Sequence, residues 1–222
     1  MKHIILAFLL VLFMLFPAPG QETTAPCNCV VSPYNDRGTP DTSFLLKNGR
    51  SLVLCGSREE ADGEVTFSDF TLNVCGATEI LGHWGALASC RILKKGNELT
   101  IQRVVNLPVG REFGYVPTVL FIDKITIPGR NARMNTTLNA KARKYSRAEI
   151  SAVLAEYEAS PRAVNERTEE LLLKLFVCAL GKNPKAQKLF ASFDKDNTGL
   201  EGDLLNLYVE LKRLLNLAGI RP

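Results

Sequence analysis

Histidine is nearly missing from this chain. Among 222 residues only His3 and His83 carry an imidazole, and His3 falls in a leading segment read below as removed. A zinc site of two or three histidines is thereby excluded for the remainder, and any histidine-based nucleophilic triad would have to use His83. The familiar motifs of cofactor and nucleophile chemistry are missing too. There is no Gly-x-Gly-x-x-Gly and no Walker loop, no Gly-x-Ser-x-Gly elbow and no Cys-x-x-Cys pair. No cofactor is expected. Internal repeats and low-complexity tracts are also lacking.

Long apolar runs are scarce. The longest, Ile4 to Phe16, falls short of the roughly 20 residues of a membrane-spanning helix. It follows Lys2 and precedes Ala18-Pro19-Gly20, small residues placed for cleavage before Gln21. That layout is a secretory signal peptide over 1–20. The expectation is an exported chain, secreted or periplasmic, with no transmembrane helix after cleavage and with its cysteines in an oxidising setting.

Strong net charge is lacking: the formal value is +4, too mild for nucleic-acid binding. The distribution is uneven. Residues 21–128 hold ten Lys/Arg against twelve Asp/Glu, and residues 129–222 hold sixteen against eleven. Much of the excess is Arg130, Arg133, Lys141, Arg143, Lys144 and Arg147, a stretch without acids that reads as a basic linker over 129–145 and the residues just after it. It is a candidate contact for an anionic surface, lipid headgroup or glycan; the plainer reading is a solvated connector.

Of the six cysteines, Cys27, Cys29, Cys55, Cys75 and Cys90 lie in the first half. Six cysteines allow 15 pairings. Cys75 with Cys90 is the preferred bridge, because they bound neighbouring strand candidates; Cys55 with Cys27 or Cys29 comes second. Cys178, between Val177 and Ala179, reads as a small buried residue on a helix. Cys27-Asn28-Cys29 as a soft-metal thiolate pair is the lesser reading in an exported chain.

Residues 21–128 alternate as strands. Asn48-Gly49 between two apolar runs predicts a hairpin with a type I′ turn. A second hairpin is expected around Lys94 to Glu98. The alternation of Val65, Phe67, then Phe70, Leu72 and Val74 changes phase, which predicts a bulge or bend. Leu120, Phe121 and Ile122 are consecutive in the strand expected over 118–127, so both of its faces can be covered. After Tyr145 the period becomes helical. Ser146 with Glu149 is a capping box, Ser160-Pro161 and Asn183-Pro184 are helix starts, and the stripe Leu204, Leu207, Tyr208, Leu211, Leu214, Leu215 predicts a helix over about 202–217. The fold class expected is α+β: a disulfide-supported antiparallel β sandwich or small barrel over 21–128, then a helical bundle of about four helices over 146–222.

Candidate site residues are few. His83 and Trp84, in Gly82-His-Trp-Gly85, read as an aromatic loop packed on the sheet and as the best small-ligand contact. Asp194-Lys-Asp-Asn-Thr-Gly199 resembles the start of a calcium loop but lacks the closing glutamate. Asp194, Asp196, Thr198 and Asp203 are therefore only weak metal candidates, and no metal is expected. The function these features support is an exported, non-enzymatic binding or envelope-interaction protein with a protein or glycan partner. One alternative is a hydrolase centred on His83 or on a carboxylate pair without a recognisable pattern; a second is weak calcium binding through the 194–203 turn.

Overall fold

The computed structural model describes residues 27–220 except 37, 62, 110–113, 130 and 143. The leader 1–20 and the candidates Arg130 and Arg143 lie outside the described residues.

The first part of the chain forms eight strands: β1 (Thr42–Leu45), β2 (Ser51–Ala61), β3 (Glu64–Val74), β4 (Gly82–Trp84), β5 (Ser89–Lys95), β6 (Glu98–Val109), β7 (Gly114–Thr126) and β8 (Arg133–Leu138). All pairings are antiparallel and join one sheet, ordered β1-β2-β3-β5-β6-β7-β8 with β4 beside β3. The order ends at β1 and β8 without closing, so the expected small barrel does not form. The sheet nevertheless curls. The β1–β2 turn meets the other wall: Asn48 donates from Nδ2 to the Ile127 carbonyl at 2.8 Å and from its backbone amide to Asn97 Oδ1 at 2.9 Å. Lys94 Nζ caps the Leu45 carbonyl at 3.1 Å.

Local chemistry explains the turns and bends. The β1–β2 hairpin is not a type I′ turn. Leu46 and Arg50 pair across a three-residue loop in which only Gly49 takes a positive φ, +79°, the arrangement of a type I turn followed by a left-handed residue. The second hairpin is tighter. Lys95 pairs with Glu98, and of the two loop residues only Gly96 has a positive φ, +63°, as a type II′ turn needs. The phase change in β3 is a bulge: Asp69 and Phe70 oppose Gly56 alone. Asp69 takes φ +45°, which lets both Phe67 and Phe70 point into the core. A Cβ on Gly56 would lie 2.3 Å from Phe70 Cβ, so only glycine fits opposite the bulge. In β7 a second irregularity opposite Arg103 and Val104 buries the consecutive Leu120 and Phe121.

Two further stretches of the sheet region differ from expectation in their element type. Gly82–Trp84 is a strand and not a loop, with Trp84 opposite Phe70 and His83 opposite Thr71. Arg133–Leu138, read as part of a basic linker, is β8, because its backbone completes the free edge of β7. The connector that remains is anchored by Tyr145, whose hydroxyl donates to the Pro108 carbonyl at 2.9 Å.

Five helices follow: α1 (Arg147–Ala159), α2 (Thr168–Leu180), α3 (Pro184–Ala191), α4 (Phe193–Asp196) and α5 (Gly202–Leu217). The Ser146/Glu149 capping box opens α1, and Asn183 caps α3 by accepting from the Ala186 amide at 2.9 Å. Ser160-Pro161 does not start a helix. Ser160 ends α1, and the next residues run extended beside Thr198, with the Arg162 carbonyl accepting from its amide at 2.8 Å; α2 begins only at Thr168. α2 is buried from Leu171 to Ala179, which fits its lack of a polar face. It touches β6 on one side and α1, α3 and α5 on others. Strand and helix side chains share one continuous core, from Leu52, Phe70 and Trp84 to Phe176, Phe190 and Leu211. Among the described residues the result is an α+β fold, one open antiparallel sheet and five helices with α2 at their centre.

Candidate functional site

Three places concentrate unusual side chains: the exposed surface at His83, a buried ion pair beneath Trp84, and a cleft between the sheet and the helices.

The two neighbours His83 and Trp84 point to opposite faces of β4, as strand alternation requires. His83 stays partly exposed. Its Nε2 lies 3.0 Å from Asp69 Oδ1, and Tyr34 stacks on the imidazole with ring centroids 4.1 Å apart and planes 10° apart. Tyr34 belongs to the segment tied down by two disulfides, Cys27–Cys75 and Cys29–Cys55. A left-handed backbone at a non-glycine residue costs about 1 kcal/mol or more, so Asp69 holds its carboxylate toward His83 from a strained position.

Trp84 is buried and stacks on Phe70 at 5.0 Å. Its Nε1 donates to Asp123 Oδ2 at 2.8 Å. Arg103 Nε donates to the same oxygen at 2.6 Å, and Thr136 Oγ1 donates to Oδ1 at 2.6 Å. The Arg103 guanidinium also lies over the indole, 5.6 Å from its centroid. Asp123 is fully buried and Arg103 nearly so, and β4, β6, β7 and β8 each give one member. Trp84 thus supports the core and offers no ligand surface, against the sequence-based expectation.

The preferred bridge Cys75–Cys90 is absent. Cys90 sits opposite Phe67, toward the other end of β3 from Cys75, and points into the main core. Cys75 instead pairs with Cys27, and Cys55 with Cys29, the second of the expected pairings. Neither half of Cys27-Asn28-Cys29 is free to bind a metal. Cys90 and Cys178 are buried thiols. Burial pushes each up to about 12; for Cys90 the Arg103 charge opposes the rise and the Asp123 charge adds to it, and for Cys178 Glu149 adds. Neither is a nucleophile near neutral pH.

The calcium-loop candidates do not converge. Asp196 Oδ2 accepts from Ser192 Oγ at 2.6 Å and Tyr157 Oη at 3.4 Å. Asp194 faces Tyr208 Oη at 3.5 Å, Thr198 Oγ1 turns to the Arg162 carbonyl, and Asp203 lines a cleft elsewhere. Among the described residues no three His, Cys, Asp or Glu side chains group as metal ligands.

The four described basic candidates, Arg133, Lys141, Lys144 and Arg147, are exposed but spread out. Arg133 and Leu138 stand at opposite ends of β8, about 17 Å apart at the usual strand rise, and Lys141, Lys144 and Arg147 follow beyond Leu138. Among the described residues none of these four cations forms an ion pair.

The cleft was not foreseen from the sequence. It encloses about 510 Å³, with Val105, Pro117 and Leu87 from the sheet side and Leu173 and Leu207 from α2 and α5. Glu169 and Tyr115 connect it to a hollow beside Glu166 and Glu170. Leu87 and Leu207 connect it to another beside Asp203 and Glu210. Two signals pointed here: the exposed Tyr115-Val116 at the start of β7, and Leu207 of the α5 stripe, which is only half-buried.

No family model matches the chain, and no curated protein or solved structure is significantly similar to it. The two disulfides fit an extracellular or otherwise oxidising compartment. Among the described residues no helix is long and apolar enough to cross a membrane.

Proposed function

We propose that this is an exported, non-enzymatic binding protein, secreted or periplasmic, whose contact surface is the cleft between sheet and helices. The observation that carries the reading is the make-up of that cleft. Val105, Leu173 and Leu207, from both layers, stand beside Thr66, Ser89, Asn106 and the ion-paired Arg91, with Glu169 at the rim. A mixed lining of this kind suits an amphipathic group, part of it buried against the apolar side chains and the rest held by polar contacts. Its volume lies within the usual range of about 300–1,000 Å³ for ligand sites. The leader-like segment and the disulfides support export. A photo-crosslinking residue placed at 87 or 207 should capture a partner from the native envelope fraction. The same residue at the exposed position 188 should not. Equal capture from both places would remove the cleft as the contact surface.

A second reading rests on the His83–Asp69 contact at 3.0 Å. A carboxylate that orients an imidazole is half of an acid–base device, and water could serve as nucleophile. A hydrolase built there requires that His83→Ala abolish turnover of chromogenic esters, phosphate esters or glycosides. Under the binding reading, His83→Ala leaves capture from the cleft unchanged.

A further inference from the structure

We propose that the cleft takes a cationic, amphipathic segment of a partner protein, a short apolar stretch with a lysine or arginine at each end. The inference rests on the cleft being the contact surface. Glu166 and Glu169 stand at one end beside Tyr115, and Asp203 stands at the other beside Leu87 and Leu207. All three carboxylates are exposed and, among the described residues, none is ion-paired. The other charges around the cleft are already matched. Glu170 meets Lys174, Glu210 meets Arg213, Arg167 meets Glu156, and Arg91 meets Glu64.

Two helices, α2 and α5, begin here, and each N-terminus carries roughly half a positive charge. Together they offset about one of the three carboxylates, leaving the cleft near −2. Tyr115 is 47% exposed. Burial first, then the charges of Glu170 and Glu169, push its phenol up, which places the ring within the field of those acids. Its face is open to a cation. Negative ends around a middle whose apolar part is Leu87, Val105, Pro117, Leu173 and Leu207, beside Thr66, Ser89 and Asn106, favour a segment that is positive at both ends and amphipathic between them.

In a second copy the run that carries that pattern, Lys212-Arg213 to Arg221 in the sequence, has Leu214, Leu215 and Ile220 in its own core, so it has no free apolar middle to insert. Nucleic acids and acidic glycans carry the wrong sign for the cleft.

The test is fluorescence anisotropy on the oxidised, leader-free protein with three labelled peptides: KALVLAK, its acidic counterpart EALVLAE, and the non-apolar KAGSGAK. KALVLAK alone should bind. Its affinity should fall at least about tenfold between low and about 0.5 M salt, and at least about tenfold on Glu166→Lys/Glu169→Lys/Asp203→Lys. If that triple variant fails to fold, the milder Glu169→Gln/Asp203→Asn should still weaken binding severalfold. No binding of KALVLAK, or binding that ignores salt and these substitutions, overturns the inference. Binding of EALVLAE that is lost on Leu207→Asp also overturns it, while leaving the cleft as a contact surface. If the residue-207 crosslinker joins two copies of the chain, the occupant is a second copy and the proposal is wrong. If no peptide binds and the crosslinkers capture nothing, the binding reading falls with it.

Discussion

Trp84 Nε1 and Arg103 Nε donate to one oxygen of Asp123, at 2.8 and 2.6 Å. Because Trp84 rides on β4 and Asp123 on β7, this shared oxygen ties together parts of the sheet that are not neighbours in its strand order. Removing one member of a buried ion pair leaves the other charge uncompensated, at about 3–5 kcal/mol. Asp123→Asn keeps the shape but strands the Arg103 guanidinium, so it should destabilise by that amount. Trp84→Phe loses one hydrogen bond to a charged group, about 1.5–3 kcal/mol, and keeps the stacking on Phe70. Urea midpoints should rank Asp123→Asn below Trp84→Phe at similar slope. An Asp123→Asn loss under about 1 kcal/mol would show that the pair is not the tie described.

The disulfides are nested, since Cys29–Cys55 lies inside the Cys27–Cys75 loop. Their sequence separations of 26 and 48 correspond to roughly 3.5 and 4 kcal/mol on the chain-entropy estimate. With the inner bridge closed, the outer one closes a loop of only about 23 residues, so reducing both should cost about 7 kcal/mol on the same estimate. Calorimetry with and without reductant measures this. An unchanged midpoint would mean that the bridges pin only the 27–36 segment, and Tyr34 on His83 with it.

How much of this was legible in the sequence follows from the range of the interactions. The Ser146 cap, the Asn183-Pro184 start, the β3 bulge and the α5 stripe are local and could be read directly. The pairing of Cys75 depended on which end of β3 meets β5, a register that no short window contains. Gly82–Trp84 reads as a loop because its partner on β3 is ten or more residues away. The cleft needed both layers: Leu173 and Val105 are 68 residues apart, and nothing in either neighbourhood announces the other. Of the site residues, His83 was found because it is the only histidine after His3, whereas Asp203 drew notice only as a weak calcium ligand and Glu169 drew none.

Cys90 and Cys178 make stability fall in alkali. In the unfolded chain a thiol loses its proton near pH 8.5; in the fold burial holds the proton to about 12. The native state binds it more tightly, so this contribution is complete below about pH 8.5 and is lost as pH rises toward 12. The loss is about 1.4 kcal/mol per pH unit for each thiol. Tyr208, also pushed up to about 12, first by burial and then by Asp194, steepens the fall above about pH 10. Urea midpoints across this range should drop, and Cys178→Ala should reduce the slope. A maleimide should label neither thiol in the native protein at neutral pH and both after unfolding.

Calcium should not raise the melting midpoint at millimolar concentration. Asp196 is occupied by two hydroxyls, and binding there would first have to break them. A rise that saturates with calcium would reveal a site formed only in the fold and would contradict the placement of these carboxylates.

The strain at Asp69 can be separated from its contact with His83. Asp69→Ala removes the carboxylate and keeps a Cβ at φ +45°. Asp69→Gly removes the same carboxylate but relieves the left-handed penalty of about 1–2 kcal/mol, set against a flexibility cost of under about 1 kcal/mol in the unfolded chain. Asp69→Gly should therefore be the more stable of the two, by about 0.5–1 kcal/mol, in paired denaturation curves. Both should weaken the stacking of Tyr34, because His83 loses the partner that fixes its ring. Tyr34 fluorescence quenched by acrylamide more strongly than in the parent reads that change. If Asp69→Gly is instead the less stable, the left-handed residue is not strained, and the bulge owes its shape to Gly56 alone.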